Sequence, residues 1–200
     1  MKIIGITGIS GSGKTEITRI LAKIGGFTIE ADPMAHELMK KGQPAYNEIV
    51  EAFGQDILDE GGEIHRPSLG KLVFGNSCRL SSLEAIIHPK VAAKTAALLC
   101  QAQKSGKHPF AVIDAPLLIE AGMHNMCHSC WLVTADYETR LARIIKRDNI
   151  SQEAAEKRLA SRPGDEALMP YTDIVIENNG DDLADLRGKV VAALESVLRL

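Results

Sequence analysis

Residues 8–15 read Gly-Ile-Ser-Gly-Ser-Gly-Lys-Thr, which satisfies G-x-x-x-x-G-K-[ST] at every fixed position and follows the apolar run of residues 2–7. A strand that enters such a loop and leaves it as a helix has few ways to fold. The glycines let the backbone curl so that successive N–H groups face inward, Lys14 brings charge to the β and γ oxygens of a nucleotide, and Thr15 offers a hydroxyl to Mg²⁺. Ile17, Ile20, Leu21 and Ile24 recur at i, i+3, i+4 and i+7. The segment after Thr15 is therefore expected to bury one helical face, to end at Gly25-Gly26, and to turn its N-terminus toward the same anion. Ile9, Ser10, Gly11, Ser12, Gly13, Lys14 and Thr15 are read as a nucleoside triphosphate site.

The rest of the composition narrows the class. Two hundred residues at 45% hydrophobic content make one α/β domain able to bury its core without staples. Cys78, Cys100, Cys127 and Cys130 do not form a dense disulfide framework, and no apolar run reaches the roughly 18 residues of a membrane span. The chain enters its first strand at once, leaving no room for a signal peptide, so a cytoplasmic protein without membrane partners is expected. A formal charge of −3 argues against nucleic acid as a partner. The even spread of apolar residues shows no association patch, and a monomer is expected.

Five apolar segments, residues 2–7, 27–31, 110–114, 130–135 and 173–177, read as strands. Four are nearly continuous runs, as parallel strands covered on both faces require. Between the second and third lie helical patterns at residues 45–53, 67–74, 81–88 and 89–103, the last pair separated at His88-Pro89. The expected fold is α/β: a P-loop NTPase-type parallel five-stranded sheet flanked by helices. A helical insertion at about residues 33–108 is expected to hold the second substrate, since ligands gather at the carboxyl ends of parallel strands.

After the fourth strand, helices are expected at residues 137–147 and 151–162, with Asp136 and Ser151 as N-caps. Arg140, Arg143 and Arg147 share one face, Arg158 and Arg162 lie four apart, and between positions 136 and 162 seven Lys/Arg meet five Asp/Glu. One reading is a solvated hairpin whose arginines pair with Glu138, Glu153 and Glu156; the other is a small lid, about residues 136–165, that brings arginine to a transferring phosphoryl group.

Other residues carry two readings each. Asp32 in Ala31-Asp32-Pro33 suits a helix cap, and equally a carboxylate that takes the proton of an attacking hydroxyl. Asp114, ending the third strand, is similar to a carboxylate that supports Mg²⁺. His88 reads as a helix-end residue or a ligand contact. His124, Cys127 and Cys130 have metal-like spacing, but no second cysteine pair supports them, and the structural reading prevails.

Taken in order, residues 8–15, Ala31-Asp32, Gly42-x-Pro44, Phe53-Gly54, Arg66-x-x-Leu69, Val73-Phe74, Leu83-Glu84-x-Ile86-x-His88-Pro89, Pro116-Leu117-Leu118-x-Glu120, Arg143-x-x-x-Arg147-Asp148 and Asp173-x-Val175-Ile176-x-Asn178-Asn179-Gly180 resemble the dephospho-CoA kinase family over nearly the whole chain. The resemblance implies an ATP- and Mg²⁺-dependent kinase that phosphorylates the 3′-hydroxyl of dephospho-CoA. It makes Asp32 the general base, with Lys14 and Arg143 also catalytic. Arg66, His88, Leu117 and Glu120 fall on the acceptor side, Arg140 and Arg147 join Arg143 in the lid, and Asn178 and Asn179 stand at the adenine end of ATP. Departures from the family pattern are Ile9, Glu30, His36 and Leu168, and the missing glutamine near Arg162. The loop alone also leaves open a P-loop kinase acting on a nucleoside or small alcohol.

Overall fold

The computed structural model describes residues 1–160, 164–180 and 182–199. In chain order the elements are β1 (Lys2–Thr7), α1 (Lys14–Lys23), β2 (Phe27–Glu30), α2 (Ala31–Leu38), α3 (Tyr46–Phe53), α4 (Arg66–Val73), α5 (Ser77–Ser105), β3 (Phe110–Asp114), β4 (Ser129–Thr134), α6 (Tyr137–Asp148), α7 (Gln152–Ala160), β5 (Ile174–Glu177) and α8 (Leu183–Arg199). The chain divides into two compact units, Met1–Ile29 with Leu99–Leu200, and Glu30–Leu98.

The first unit is built on a five-stranded sheet in the order β2-β3-β1-β4-β5. β1 runs parallel to both β3 and β4, and β4 parallel to β5, with Ile6 level with Asp114 on one side and with Trp131 on the other. This is the α/β fold expected from the continuous apolar strands. Ile4, Ile6, Phe110, Val112, Trp131, Val133 and Ile176 form one buried cluster with Ile17 and Leu21 of α1 and Leu186, Val190, Leu194 and Val197 of α8. Each such side chain contributes about 1.5–3 kcal/mol by leaving water. Trp131 is fully buried, and its indole N–H is satisfied by Ser129 Oγ at 3.1 Å. Behind β1, a Cβ on Gly5 would lie 2.6 Å from Leu118 and 2.7 Å from Cys127 Sγ, so close packing on that face depends on glycine.

The second unit is helical, with Met34, Leu38, Ile49, Ile57, Leu69, Val73 and Val91 buried. An antiparallel bridge between Leu58 and Ile64 closes a turn in which Asp59 Oδ1 accepts from the N–H groups of Gly61 and Glu63, both at 2.9 Å.

Three local expectations need correction. His88-Pro89 does not divide one helix from another: α5 runs unbroken through Pro89. Proline removes an N–H and disturbs the turn before it. In that turn Lys90 Nζ donates to the Ile86 carbonyl at 3.2 Å while pairing with Glu48 at 2.7 Å. Asp32 is not a cap, because β2 passes into α2 with no intervening loop. Glu30 occupies the N-cap in extended conformation, no side-chain bond caps the helix, and Asp32 is in the first turn, exposed. Asp136 does hold the N-cap position of α6 but makes no side-chain cap bond, whereas Ser151 Oγ accepts from Ala154 N at 3.3 Å before α7. α7 is described to Ala160, and Arg162 lies outside the described residues.

Candidate active site

The loop between β1 and α1 has the curl its glycines allow. Gly13 is the N-cap of α1 in the left-handed region (φ 95°), and a Cβ there would meet Asn178 Nδ2 at 2.1 Å. Glycine at 13 is thus required both by dihedral and by the approach of Asn178, whose Nδ2 donates to Ser12 O at 2.8 Å. No side chain caps α1. An uncapped helix N-terminus, with the helix dipole behind it, favours an anion. Lys14 Nζ donates to Gly8 O at 2.7 Å, which keeps the ammonium over the loop. Ser12 Oγ is buried and has no hydrogen-bond partner among the described residues, an orphan inside the phosphate-binding turn.

Thr15 is exposed at the head of α1, and Asp114 ends β3, where its Oδ2 accepts from Thr18 Oγ1 at 2.8 Å. A hydroxyl and a carboxylate are the oxygen donors Mg²⁺ takes when substrate phosphates complete its shell. Among the described residues no group of three or more His, Cys, Asp or Glu forms a competing metal site. Cys127 Sγ and Cys130 Sγ instead face the carbonyls of Met123 and His124, at 3.5 and 3.9 Å. The contact with Cys130, with burial, pushes the Cys127 thiol up, so it stays protonated.

The arginines of α6 have distinct places. Arg143 donates to the carbonyls of Gly11 (3.4 Å), Asn178 (2.9 Å) and Gly180 (3.0 Å), which ties the loop to the turn after β5. Arg147 reaches Ser10 Oγ at 3.3 Å and pairs with Asp148 at 2.8 Å. That pairing holds the Asp148 carboxyl below the usual carboxylate range. Arg140 pairs with Asp165 at 3.3 Å, both side chains about one-sixth exposed (15% and 16%). Burial raises the Asp165 carboxyl above its ordinary value, while Arg140 and, more weakly, Lys14 pull it down. The solvated-hairpin reading pairs the arginines with Glu138, Glu153 and Glu156; among the described residues, Arg140 is paired with Asp165, and Arg147 and Arg158 with Asp148. Ile9 completes the arrangement, buried in one cluster with Leu141, Ile144, Ala155 and Leu159, so the loop itself anchors the α6–α7 hairpin.

Asn179 Oδ1 accepts from the Asp136 N–H at 2.8 Å. Of the residues expected on the acceptor side, Glu120 is exposed and lines a cavity beside Gly8 and Ile9, whereas Leu117 is half-buried and does not line it. Arg66 and His88 belong to the second unit, Arg66 exposed at the start of α4 and His88 half-buried within α5. There Arg66 and Asp32 both act on His36. Burial first, then the Arg66 charge, lower its pKa, and Asp32 opposes them. Sequence reasoning misses Thr18 and Asp165. The first is open to detection, four residues after Lys14 on a helix, but the second is 25 residues from its partner with no pattern linking them.

A sequence profile of dephospho-CoA kinase matches residues 2–184. The chain belongs to the dephospho-CoA kinase family. It is 42% identical over 180 residues to the dephospho-CoA kinase of Geobacter metallireducens, covering 90% of this chain and 89% of that one. Among solved structures, the dephospho-CoA kinase of Campylobacter jejuni superposes with a TM-score of 0.70 at 28% identity, covering 100% of this chain and 98% of the other. A Thermus thermophilus protein superposes with a TM-score of 0.80 at 29% identity, covering 98% and 96%. These matches span the whole fold of the family member, the helical unit included.

Proposed function

We propose that this kinase transfers the γ-phosphoryl group of ATP to the 3′-hydroxyl of dephospho-CoA, giving coenzyme A and ADP. The observation that carries the reading is the phosphate loop opening an uncapped α1 with Lys14 over it, in a chain matched by the family profile from residue 2 to residue 184. Phosphoryl transfer needs positioning and charge more than covalent help. The loop amides from Ile9 to Gly13 and the Lys14 ammonium hold the donor phosphates. Asn178 and Asn179 mark the adenine end. Thr15 and Asp114 would hold Mg²⁺, which would supply charge to the phosphate oxygens.

Asp32 accepts the proton of the attacking hydroxyl, and Arg66, His88, Leu117 and Glu120 bind the acceptor. The family resemblance implies a place for Arg143 near the transferring phosphate, but its three carbonyl contacts favour a brace that fixes the loop against Asn178. Arg140 and Arg147 complete the lid and keep water from the γ-phosphate, so that ATP is not hydrolysed idly. No helix among the described residues is long and apolar enough to cross a membrane. We place the enzyme in the cytoplasm as a monomer.

The test is acceptor choice. With Mg-ATP and, in turn, dephospho-CoA, uridine and shikimate, ADP is expected in step with product only for dephospho-CoA. Turnover of uridine or shikimate instead would establish the nucleoside or small-alcohol reading.

A further inference from the structure

Arg140 and Asp165 make an ion pair that is only half formed. One guanidinium nitrogen, Nη1, meets one carboxylate oxygen, Oδ2, at 3.3 Å. Arg140 Nε and Asp165 Oδ1 are buried and have no hydrogen-bond partner among the described residues. An arginine and a carboxylate fully engaged share two parallel hydrogen bonds. A buried donor and a buried acceptor left unpaired both weaken the contact, so it holds Arg140 less firmly than a bidentate pair would.

The pair stands at the phosphate loop. A Cβ on Gly11 would lie 2.7 Å from the Arg140 carbonyl oxygen and 2.9 Å from its Cα, so the backbone of α6 rests on the loop at this residue. Three charges act on the Asp165 carboxylate: Arg140 from α6, Lys14 from the head of α1, and Glu166 beside it in the turn after α7. The two cations favour its ionised form, and Glu166 opposes it. A carboxylate set among the cations of a phosphate-binding loop neutralises them as a phosphate would. A triphosphate on the same loop brings more negative charge, and paired oxygens that match the planar fork of arginine. It therefore competes with Asp165 for Arg140 and repels the carboxylate.

We propose, resting on the reading of this loop as the ATP site, that Asp165 is a counter-ion to the donor site: it holds Arg140 until a nucleotide phosphate takes the arginine's fork, and so sets the affinity for ATP. Asp165 touches neither substrate. It is a positioning residue that acts through Arg140, and the exchange makes and breaks no covalent bond. Burial already favours the protonated carboxyl, so as pH falls Asp165 loses its charge and ceases to compete.

The experiment is calorimetric titration of Mg-ATP, without acceptor, into the wild type, Asp165→Asn, Arg140→Gln and the double variant, at pH 8 and pH 5. Asparagine keeps the shape of the side chain and removes its charge. Asp165→Asn is expected to bind Mg-ATP about tenfold more tightly than the wild type at pH 8, the worth of a hydrogen bond to a charged group. The gap should narrow at pH 5, where the wild-type carboxyl takes up a proton. Arg140→Gln should bind about tenfold more weakly, and in that background Asp165→Asn should change the affinity by less than about threefold. Asp165→Ser, which also lacks the charge, should repeat the gain, so the result does not depend on the folding of one variant. A purely structural clasp predicts the opposite sign, because its loss would loosen the hairpin over the loop. Unchanged or weaker binding by the charge-free variants overturns the proposal, as does an equal gain in the Arg140→Gln background or a gap that does not narrow at pH 5. These results leave the donor-site reading standing. A wild type that bound no Mg-ATP would overturn both.

Discussion

Asp32 shows how one carboxylate can be separated from its structural surroundings. It stands in the first turn of α2 without a capping bond, so its replacement by asparagine removes no cap that the fold uses. Asp32→Asn is expected to leave the melting temperature nearly unchanged while turnover falls by roughly 10²–10⁴, the span of general-base catalysis. Turnover within a few-fold of wild type would remove the base from the mechanism. His36, on the same helix, gives a prediction in pH. Its pKa is lowered in the folded state by burial and by Arg66, against the pull of Asp32. The unfolded chain then binds the proton more readily, so stability is lost as pH falls from the ordinary histidine value toward the lowered one, and is regained above it. Thermal melts between pH 7 and pH 5 should show wild type losing stability relative to His36→Gln; parallel curves would contradict this.

At the scale of elements, the α6–α7 hairpin depends on a side chain of the phosphate loop. Ile9 is 6% exposed within the cluster of Leu141, Ile144, Ala155 and Leu159. Ile9→Ala should cost about 2–4 kcal/mol, and hydrogen exchange should quicken in α6 and α7 while β1 stays protected. Unchanged exchange in the hairpin would show that the loop does not anchor it. How much of this is legible in the sequence follows from distance along the chain. The strand, loop and first helix can be read because their signals are local: a motif of eight residues and an apolar repeat at helical spacing. Asp114 at the end of β3 can be read from its strand. The Arg140–Asp165 pair cannot, since it joins α6 to a turn beyond α7. The expected cap at Asp32 and break at Pro89 fail for one reason. A local rule is applied where a neighbouring element decides: β2 running straight into α2, and a long helix whose Lys90 meets a carbonyl in the disturbed turn.

Over the whole molecule, the proposed donor site is the loop of the first unit, and the helical unit carries Asp32, Arg66 and His88. The family match spans both, which is why the function can be read as transfer between two substrates and not as nucleotide hydrolysis. In the proposed mechanism Lys14 is the residue on which the donor side turns. Lys14→Ala removes the ammonium that the Gly8 carbonyl holds over the loop and leaves the buried cluster between the sheet, α1 and α8 intact. The direct measurement is product analysis by mass spectrometry and phosphorus NMR after incubation with Mg-ATP and dephospho-CoA. The wild type should yield coenzyme A carrying a new 3′-phosphate, one ADP for each, and Lys14→Ala should yield less than about one-hundredth as much while melting close to wild type. ADP formed without coenzyme A, or full turnover by Lys14→Ala, would contradict the account.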